Sequence, residues 1–302
     1  MKKKIYVTAI ILTLTLILCF SVGCSLFTND NEPQKYFVEI GQVEDSRVAS
    51  IVANNTLDSC VRISAFYPSA SETSKSSGFF VTSDGYIVTN RHCVVRFPNG
   101  EDLPSQEGEI PINVKYTVTD TKGDSYSAKL VAYSKTADVA LIKIVPNVLD
   151  TIIGSTTEFS PMIFDVDSKP YYGDRLYTIG NPEDLGFILT ELMVASPGIK
   201  LSSKNDYYTI MLDGNINHGN SGGALIDTHS HVVGLIFARV EGASNEHDSN
   251  NATSTAANNN TTSSPTYGLG CAIPAEVVTT FLDDCKIQYS KYTPTQSDNT
   301  QE

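Results

Sequence analysis

Short apolar or alternating segments, separated by Gly, Asp, Asn and Ser, run through most of the chain and indicate β-strands. The first set covers residues 60–66, 78–81, 86–89, 112–119, 129–133 and 139–144. After Pro146 a second set covers residues 175–179, 187–195, 207–212, 224–226, 231–239 and 267–273. Helical patterns occur only near the ends, at residues 46–54 and 274–284. We therefore predict an all-β fold of two six-stranded antiparallel β-barrels with short terminal helices.

The N-terminus has the charge and hydropathy pattern of an export signal. Lys2, Lys3 and Lys4 are followed by an apolar run over residues 5–23. A small residue directly precedes Cys24, as in a bacterial lipoprotein cleavage box, although Ser21 stands where that box usually has leucine. We therefore expect export, lipidation of Cys24 and tethering to the outer face of a bacterial cell membrane.

Two alternatives to lipidation stay open. An uncleaved helix over residues 5–23 would contain 19 residues, which is just enough to span a bilayer. An ordinary secretory signal would instead release the folded part of the chain freely.

The composition of the remaining segments suggests a division into domains. We expect a signal with its box over residues 1–24, a polar linker over 25–44, barrel one over 45–150, barrel two over 151–288 and a disordered tail over 289–302. Within barrel two, residues 241–266 are nearly all Ser, Asn, Thr, Ala and acidic residues. Such a segment cannot bury a core, so we predict a mobile loop between two strands.

The net charge limits the partners of the folded part. It is −13 for the whole chain and becomes −16 once the three lysines of the signal are removed. A surface this acidic argues against binding to nucleic acid or to anionic lipid.

Four cysteines lie beyond the box, and four cysteines allow three pairings. Cys60 and Cys93 fall in the first half of the chain, while Cys271 and Cys285 fall in the second, so we prefer one bond in each half. Cys93 follows His92, and neighbouring side chains at the end of a strand tend to point apart, so we do not expect a catalytic cysteine.

Three segments supply the residue types of a hydrolytic site. Residues 219–223 read Gly-Asn-Ser-Gly-Gly, which suits a nucleophile on a tight turn, while His92 ends an apolar strand and Asp138 lies in another. A serine hydroxyl needs an imidazole to take its proton, and that imidazole needs a buried carboxylate to fix its tautomer. We therefore predict His92, Asp138 and Ser221 as catalytic residues. The N–H groups of Gly219 and Ser221 are the candidate oxyanion hole.

Other histidines are interpreted as structural. His218 precedes Ser221 by three positions and is assigned to the loop beside the cleft rather than to a second base. His229 and His231 flank a turn, where we expect a solvated hairpin tip without a metal ion, on the view that no suitable ligand stands beside them.

Longer stretches around these residues resemble the HtrA family of trypsin-like serine proteases. The matching segments are residues 76–81, 84–92, 137–141, 179–182, 213–225 and 268–274. The resemblance extends over roughly residues 45–285. Arg91, Cys93, His218 and Ala224 depart from the residues usual in the family, and none of these departures removes a catalytic group.

The resemblance implies where the site lies and what it accepts. His92 and Asp138 would lie on the first barrel and Ser221 on the second, with the active site in the groove between them. The implied specificity pocket consists of Asn215, Ile216, Ile236, Phe237, Ala238 and Cys271. This set contains no acidic residue, so we expect small or medium aliphatic residues before the cut bond rather than Lys or Arg.

The resemblance also bears on assembly. HtrA proteases commonly carry a PDZ domain after the protease, but too few residues follow the last predicted helix here for one to be expected. A homotrimer is possible in this family, and Val48, Ile51 and Val52 of the N-terminal helix are its candidate contacts.

Our first functional hypothesis is an extracytoplasmic serine endopeptidase that cuts unfolded or exposed polypeptide through an acyl-enzyme, without a metal or organic cofactor. Extended chains can add as a strand along the rim of such a groove. The alternative is a catalytically inactive peptide-binding or chaperone-like module, which the unusual neighbours Arg91, Cys93 and His218 suggest. An esterase would use the same chemistry, but the order His, Asp, Ser differs from that of α/β-hydrolases.

Overall fold

A computed structural model of the chain describes residues 47–106, 109–147, 157–201, 207–239 and 269–293. The predicted export signal, Cys24, the polar linker and the loop at residues 241–266 lie outside these ranges. Within them, no helix is both long enough and apolar enough to cross a membrane.

The first barrel consists of β1 (Cys60–Tyr67), β2 (Glu72–Phe80), β3 (Tyr86–Thr89), β4 (Lys115–Thr119), β5 (Ser125–Tyr133) and β6 (Ala140–Ile144). The strands are neighbours in the order β1-β2-β3-β6-β5-β4, and the antiparallel pairing of β1 with β4 closes the barrel. Buried and partly exposed side chains alternate along β1, as expected for a strand of a closed barrel with a filled interior. Val61, Ile63, Ala65 and Tyr67 are buried in one core cluster, while the residues between them are partly exposed.

The second barrel is built from later strands. These are β7 (Ile163–Phe164), β8 (Arg175–Gly180), β9 (Ile188–Ile199), β10 (Thr209–Asp213), β11 (Ala224–Ile226), β12 (Val232–Arg239), β13 (Leu269–Pro274) and β14 (Ser290–Lys291). Six of them follow one another as β11-β8-β9-β10-β13-β12, and the pairing of β11 with β12 closes the ring. The prediction of two six-stranded antiparallel barrels is confirmed.

Strands β7 and β14 add to this barrel in parallel, which the sequence did not predict. β7 pairs with β12 through Phe164 and Val232, and β14 pairs with β7. Each of the two strands has only two residues, too few to show an alternating pattern.

Three α-helices accompany the strands in the described ranges: α1 (Val48–Thr56), α2 (Arg91–Val94) and α3 (Ala275–Asp284). Both predicted terminal helices are present, and α1 begins and ends about two residues later in the sequence than predicted. The single turn of α2 is a correction, because His92 was expected at the end of a strand. After β3 the chain turns at Asn90, and Val95 N donates to Arg91 O at 2.8 Å to close this turn.

A second core, separate from the one inside the first barrel, joins the two barrels. It contains Phe79 and Leu141 from the first barrel, and Tyr177 and Val232 from the second, all fully buried. Val52 of α1 is fully buried in the same core. The expectation that Val52 is a trimer contact is therefore wrong, because this side chain is already covered by its own chain.

In the described ranges Cys60, Cys93, Cys271 and Cys285 are unpaired, so the preferred bond within each half is not formed. Their sulfur atoms face different neighbours. Cys60 Sγ donates to Thr56 O at 3.3 Å, and Cys271 Sγ lies 3.6 Å from Met211 Sδ.

Candidate functional site

His92 and Asp138 meet at the edge of the first barrel. His92 lies on α2, and Asp138 lies two residues before β6. His92 Nδ1 is 2.6 Å from Asp138 Oδ2, and the His92 backbone N–H donates to Asp138 Oδ1 at 2.9 Å. Asn90 Nδ2 also donates to the backbone oxygen of Asp138 at 2.8 Å. These contacts orient the imidazole and leave Nε2 as the nitrogen that can exchange a proton with another group.

The same contacts shift both pKa values. Burial alone would lower the pKa of His92, but the Asp138 carboxylate and the Cys93 sulfur outweigh it and raise this pKa well above its usual range. Burial alone would raise the pKa of Asp138, but contacts with His92, and to a lesser extent Arg91, lower it. Asp138 is therefore ionised at neutral pH and stabilises the protonated form of His92.

Arg91 supports the segment that leads to Asp138. Its guanidinium is buried, and Nη1 donates to Ser134 O at 2.8 Å and to Ala137 O at 2.7 Å. Its Nε pairs with Asp102 Oδ2 at 2.8 Å. This departure from the usual family residue therefore has a structural role next to the candidate site, because it ties α2 to the turn before β6.

Ser221 lies on a turn whose glycines allow close contact with the first barrel. Gly219 and Gly222 have φ angles of +96° and +87°, a region that favours glycine. A Cβ atom at Gly222 would collide with the backbone oxygen of Ser77. The turn is further held to β12, because Gly222 N donates to Ile236 O at 2.9 Å.

Ser77 of β2 connects the first barrel to this turn. Its backbone N–H donates to Ser221 O at 2.9 Å, and its Oγ donates to Gly219 O at 2.7 Å. The same Oγ accepts a hydrogen bond from Asn181 N at 2.8 Å. Sequence reasoning placed Ser77 only within a family-like segment and gave it no role. The available signal was the pair of serines, Ser76 and Ser77, inside an otherwise apolar strand end.

Ser221 Oγ and His92 do not share a hydrogen bond within the described part of the chain. Ser221 Oγ donates to Phe237 O at 3.4 Å instead. His92 Nε2 lies 3.4 Å from Cys93 Sγ, and this sulfur lies 4.0 Å from Ser221 O. The expectation that the Cys93 side chain points away from His92 is therefore wrong. The helical turn of α2, which replaces the predicted strand end, brings the two side chains together.

The N–H groups of Gly219 and Ser221 have no hydrogen-bond acceptor among the residues that the structure describes. The peptide before Gly219 is held by a bond from Glu183 N to His218 O at 2.8 Å. His218 itself is exposed on the loop, as predicted. Two unsatisfied donors on a constrained glycine turn can bind an anionic oxygen atom.

The predicted pocket residues separate into two groups. Ile216, Ile236 and Cys271 are buried, and a Cβ atom at Gly270 would collide with the Ile216 side chain. Ile216 therefore fills the space above Gly270 rather than bordering an open cavity. Asn215 is exposed on the loop after β10, and Phe237 is half-buried. Ala238 follows Phe237 on β12.

An open groove of about 630 Å³ borders the exposed side of this segment. Its walls combine Leu185, Ile188 and Leu189 with the loop at Asn215. Three acidic residues also line it: Glu183, Glu191 and Asp213. Sequence reasoning missed these acidic residues, because they come from the 3-10 turn after β8, from β9 and from the end of β10.

Comparison with known proteins agrees with this geometry. Residues 76–235, more than half of the chain, match the trypsin-like peptidase domain family. The chain belongs to this family. The match includes His92, Asp138 and Ser221 and extends into β12 of this trypsin-like domain.

Relatives of this trypsin-like domain confirm the resemblance to HtrA proteases. A probable periplasmic serine endoprotease DegP-like protein of Bartonella henselae is 33% identical over 159 residues, which are 53% of this chain and 27% of that protein. Serine protease HTRA1A of Danio rerio is 29% identical over 72% of this chain and 40% of its own length. Serine endoprotease DegS of Salmonella typhimurium is 27% identical over 68% of this chain and 47% of its own length. The matched part thus spans less than half of each of these relatives.

Replacing Ser77 by alanine tests the connection between the barrels. We expect Ser77→Ala to lower the free energy of unfolding by about 2 kcal/mol, because Gly219 O and Asn181 N lose a buried partner. Urea unfolding of the purified chain measures this change. Ser76→Ala is the matched control, since Ser76 Oγ is buried without a hydrogen-bond partner in the described ranges and its loss should cost little. Equal effects of the two substitutions would contradict the assignment.

Replacing Cys93 by valine tests the contact with His92. We expect Cys93→Val to lower the pKa of His92, because the sulfur raises that pKa in the native chain. NMR titration of the imidazole measures the shift, with the His92 resonance identified by its loss in His92→Gln. Cys271→Val, which removes a sulfur facing Met211, is the control. A titration curve of His92 that is the same in all three backgrounds would show that the Cys93 contact is not formed in solution.

Proposed function

We propose that the protein is a serine endopeptidase that hydrolyses peptide bonds in unfolded or exposed polypeptide. The observation that carries this proposal is the contact of 2.6 Å between His92 Nδ1 and Asp138 Oδ2, beside a nucleophile turn that Ser77 holds against the same barrel. A histidine oriented by an ionised carboxylate is the base that a serine nucleophile needs.

In the proposed reaction, Ser221 Oγ attacks the carbonyl carbon of the substrate while His92 Nε2 takes the hydroxyl proton. The N–H groups of Gly219 and Ser221 donate to the negative oxygen of the tetrahedral intermediate. His92 then gives its proton to the leaving amine, and the peptide bond breaks to leave an acyl group on Ser221. Water, deprotonated by the same imidazole, releases this acyl group.

The first step requires a local rearrangement. Ser221 Oγ has to leave Phe237 O, and His92 Nε2 has to leave Cys93 Sγ, before the two can share a hydrogen bond. A rotation of one serine side chain between staggered positions is a small change. Catalytic hydrogen bonds commonly become well aligned only once the substrate is bound.

The contact between His92 Nε2 and Cys93 Sγ favours a second candidate function. A chain in which His92 stays bonded to Cys93 would be a peptide-binding module without catalysis. Substrate polypeptide could still lie in the groove beside Asn215, with its backbone paired to an exposed strand edge. Activity measurements distinguish the two functions.

We also propose that the domain acts outside the cytoplasm, tethered to the cell membrane. The export pattern of residues 1–24 supports this location, and the DegP-like relative from Bartonella henselae is described as periplasmic. Lipidation of Cys24 remains the preferred tether and an anchor helix over residues 5–23 its alternative. A homotrimer remains a prediction, and it requires contacts other than Val52.

Substitution of Ser221 tests the catalytic proposal. The full chain in detergent should digest a reduced and alkylated model protein, while Ser221→Ala should lose turnover by a factor on the order of a million. New peptide termini are identified by mass spectrometry, and a fluorophosphonate should label the wild type but not the variant. Ser105→Ala, on an exposed loop of the first barrel, is the serine control. If neither the wild type nor Ser221→Ala cuts, and both bind the unfolded chain, the binding module is the better assignment.

The cut sites test the predicted specificity. We expect small or medium aliphatic residues before the cut bond, since the residues of the implied pocket include no acidic side chain that could pair with Lys or Arg. The same mass spectra supply the sequences on both sides of each cut. Cuts confined to positions after Lys or Arg would overturn this expectation, and Glu183→Gln and Glu191→Gln would then test whether the acidic groove is responsible.

A further inference from the structure

Three side chains with metal-binding atoms converge on the second barrel, away from the elements that carry His92 and Asp138. Asp165 follows β7, Asp227 follows β11, and His231 precedes β12. One ligand atom from each lies within 4.8 Å of the other two. The expectation that no carboxylate stands beside these histidines is therefore wrong for His231. His229 is exposed at the turn, as expected.

The backbone explains how the three residues meet. Asp165 N donates to Val232 O at 3.0 Å, which joins the segment after β7 to the start of β12. Asp227 N donates to His231 O at 2.9 Å and closes the turn between β11 and β12. Segments that are about 60 residues apart in sequence are thus fixed side by side before any ligand binds.

In each of the two carboxylates, Oδ1 accepts hydrogen bonds from the backbone, whereas Oδ2 accepts none from the backbone of the described ranges. Asp227 Oδ1 accepts hydrogen bonds from His229 N at 2.9 Å and from His231 N at 2.8 Å. Asp165 Oδ1 accepts them from Asp167 N at 3.0 Å and from Ser168 N at 2.9 Å. Within the described ranges, no hydrogen bond reaches Asp165 Oδ2. Hydrogen bonds of this kind orient the ligands of metal sites.

The Nδ1 atom of His231 is buried and makes no hydrogen bond to any residue that the structure describes. The nearest carboxylate oxygen, Asp227 Oδ2, is 3.7 Å away, which is too long for a hydrogen bond. The His231 ring stacks on Tyr292 with centroids 4.3 Å apart, and this contact limits its rotation toward another partner.

A separation of 3.7 Å suits two ligands of one metal ion. Two atoms that are each about 2.1 Å from Zn²⁺ at a tetrahedral angle are about 3.4 Å apart. Closure by a few tenths of an ångström would therefore let His231 Nδ1 and Asp227 Oδ2 share an ion. Ca²⁺ and Mg²⁺ prefer sets of oxygen ligands, whereas an imidazole nitrogen among carboxylates suits Zn²⁺.

We propose that Asp165, Asp227 and His231 bind one Zn²⁺ ion, with water in the fourth position. The ion joins the segment after β7 to the β11–β12 hairpin. Strand β11 begins three residues after Ser221, so the site stabilises the barrel on which the nucleophile turn is built. The role is structural, and it is independent of whether the proposed peptidase is active.

Metal titration of the full chain tests the site. The chain, without a polyhistidine tag, is stripped with a chelator and titrated with Zn²⁺ by calorimetry, and bound metal is counted by mass spectrometry. We expect one equivalent of Zn²⁺ and a rise in the melting temperature, since binding to the native state alone stabilises it. Ca²⁺ and Mg²⁺ should give neither effect at the same concentrations.

Substitutions locate the ion. Asp165→Asn keeps the oxygen that accepts the backbone bonds, and His231→Phe keeps an aromatic ring against Tyr292, so both should fold. Each should weaken Zn²⁺ binding at least tenfold, as the loss even of groups that only orient ligands does. Asp283→Asn and His218→Gln, one exposed acid and one exposed histidine outside the cluster, should bind as the wild type does.

Two results would overturn the proposal. One is the absence of saturable Zn²⁺ binding by the wild type, and the other is wild-type affinity in both Asp165→Asn and His231→Phe. Circular dichroism of the stripped variants verifies that they are folded. The absorption spectrum of Co²⁺ in the wild-type site gives a second measurement that needs no variant, since a tetrahedral site with N and O ligands yields strong visible bands and an octahedral aqua ion does not.

Discussion

The close approach of Gly222 to Ser77 is the constraint on which the candidate site depends. A side chain at Gly222 would occupy the position of the Ser77 backbone oxygen, so only glycine lets the nucleophile turn reach the first barrel. With the turn in this position, Ser77 donates hydrogen bonds to both Ser221 O and Gly219 O. The turn is thus shaped by a strand from the other half of the chain. The fully buried core that joins the barrels, with Phe79 and Tyr177, holds this arrangement.

The opposite side of the site is organised within the first barrel. Arg91 holds the backbone before Asp138, and the Asp138 carboxylate orients His92 through the ring and through its own backbone N–H. Charge and geometry act together here, because the carboxylate that fixes the ring also raises the pKa of His92. Cys93 contributes to the same rise in the pKa of His92. Its sulfur also contacts His92 Nε2, the nitrogen that would accept the proton of Ser221. One small side chain therefore influences both the protonation of the base and its availability.

Much of the fold and of the candidate site could be predicted from the sequence. Twelve strands follow from apolar alternation, and His92, Asp138 and Ser221 follow from residue types that one reaction requires together. The errors concern features that depend on distant contacts. The turn of α2 brings Cys93 to His92, Ile216 fills the space above Gly270, and Val52 is covered by the barrels. β7 and β14 are too short to produce a pattern of their own.

The sequence by itself determined which residues can form strands and which chemical groups are present, since both depend on local periodicity and side-chain chemistry. Tertiary structure alone decided which of those groups meet. Ser77 and Gly219 are 142 positions apart and share a hydrogen bond, while Asp165 comes from another strand to stand beside Asp227 and His231. These contacts between residues far apart in sequence follow from how the strands and barrels pack together. A local sequence pattern does not predict that packing, because it depends on the burial of many side chains at once.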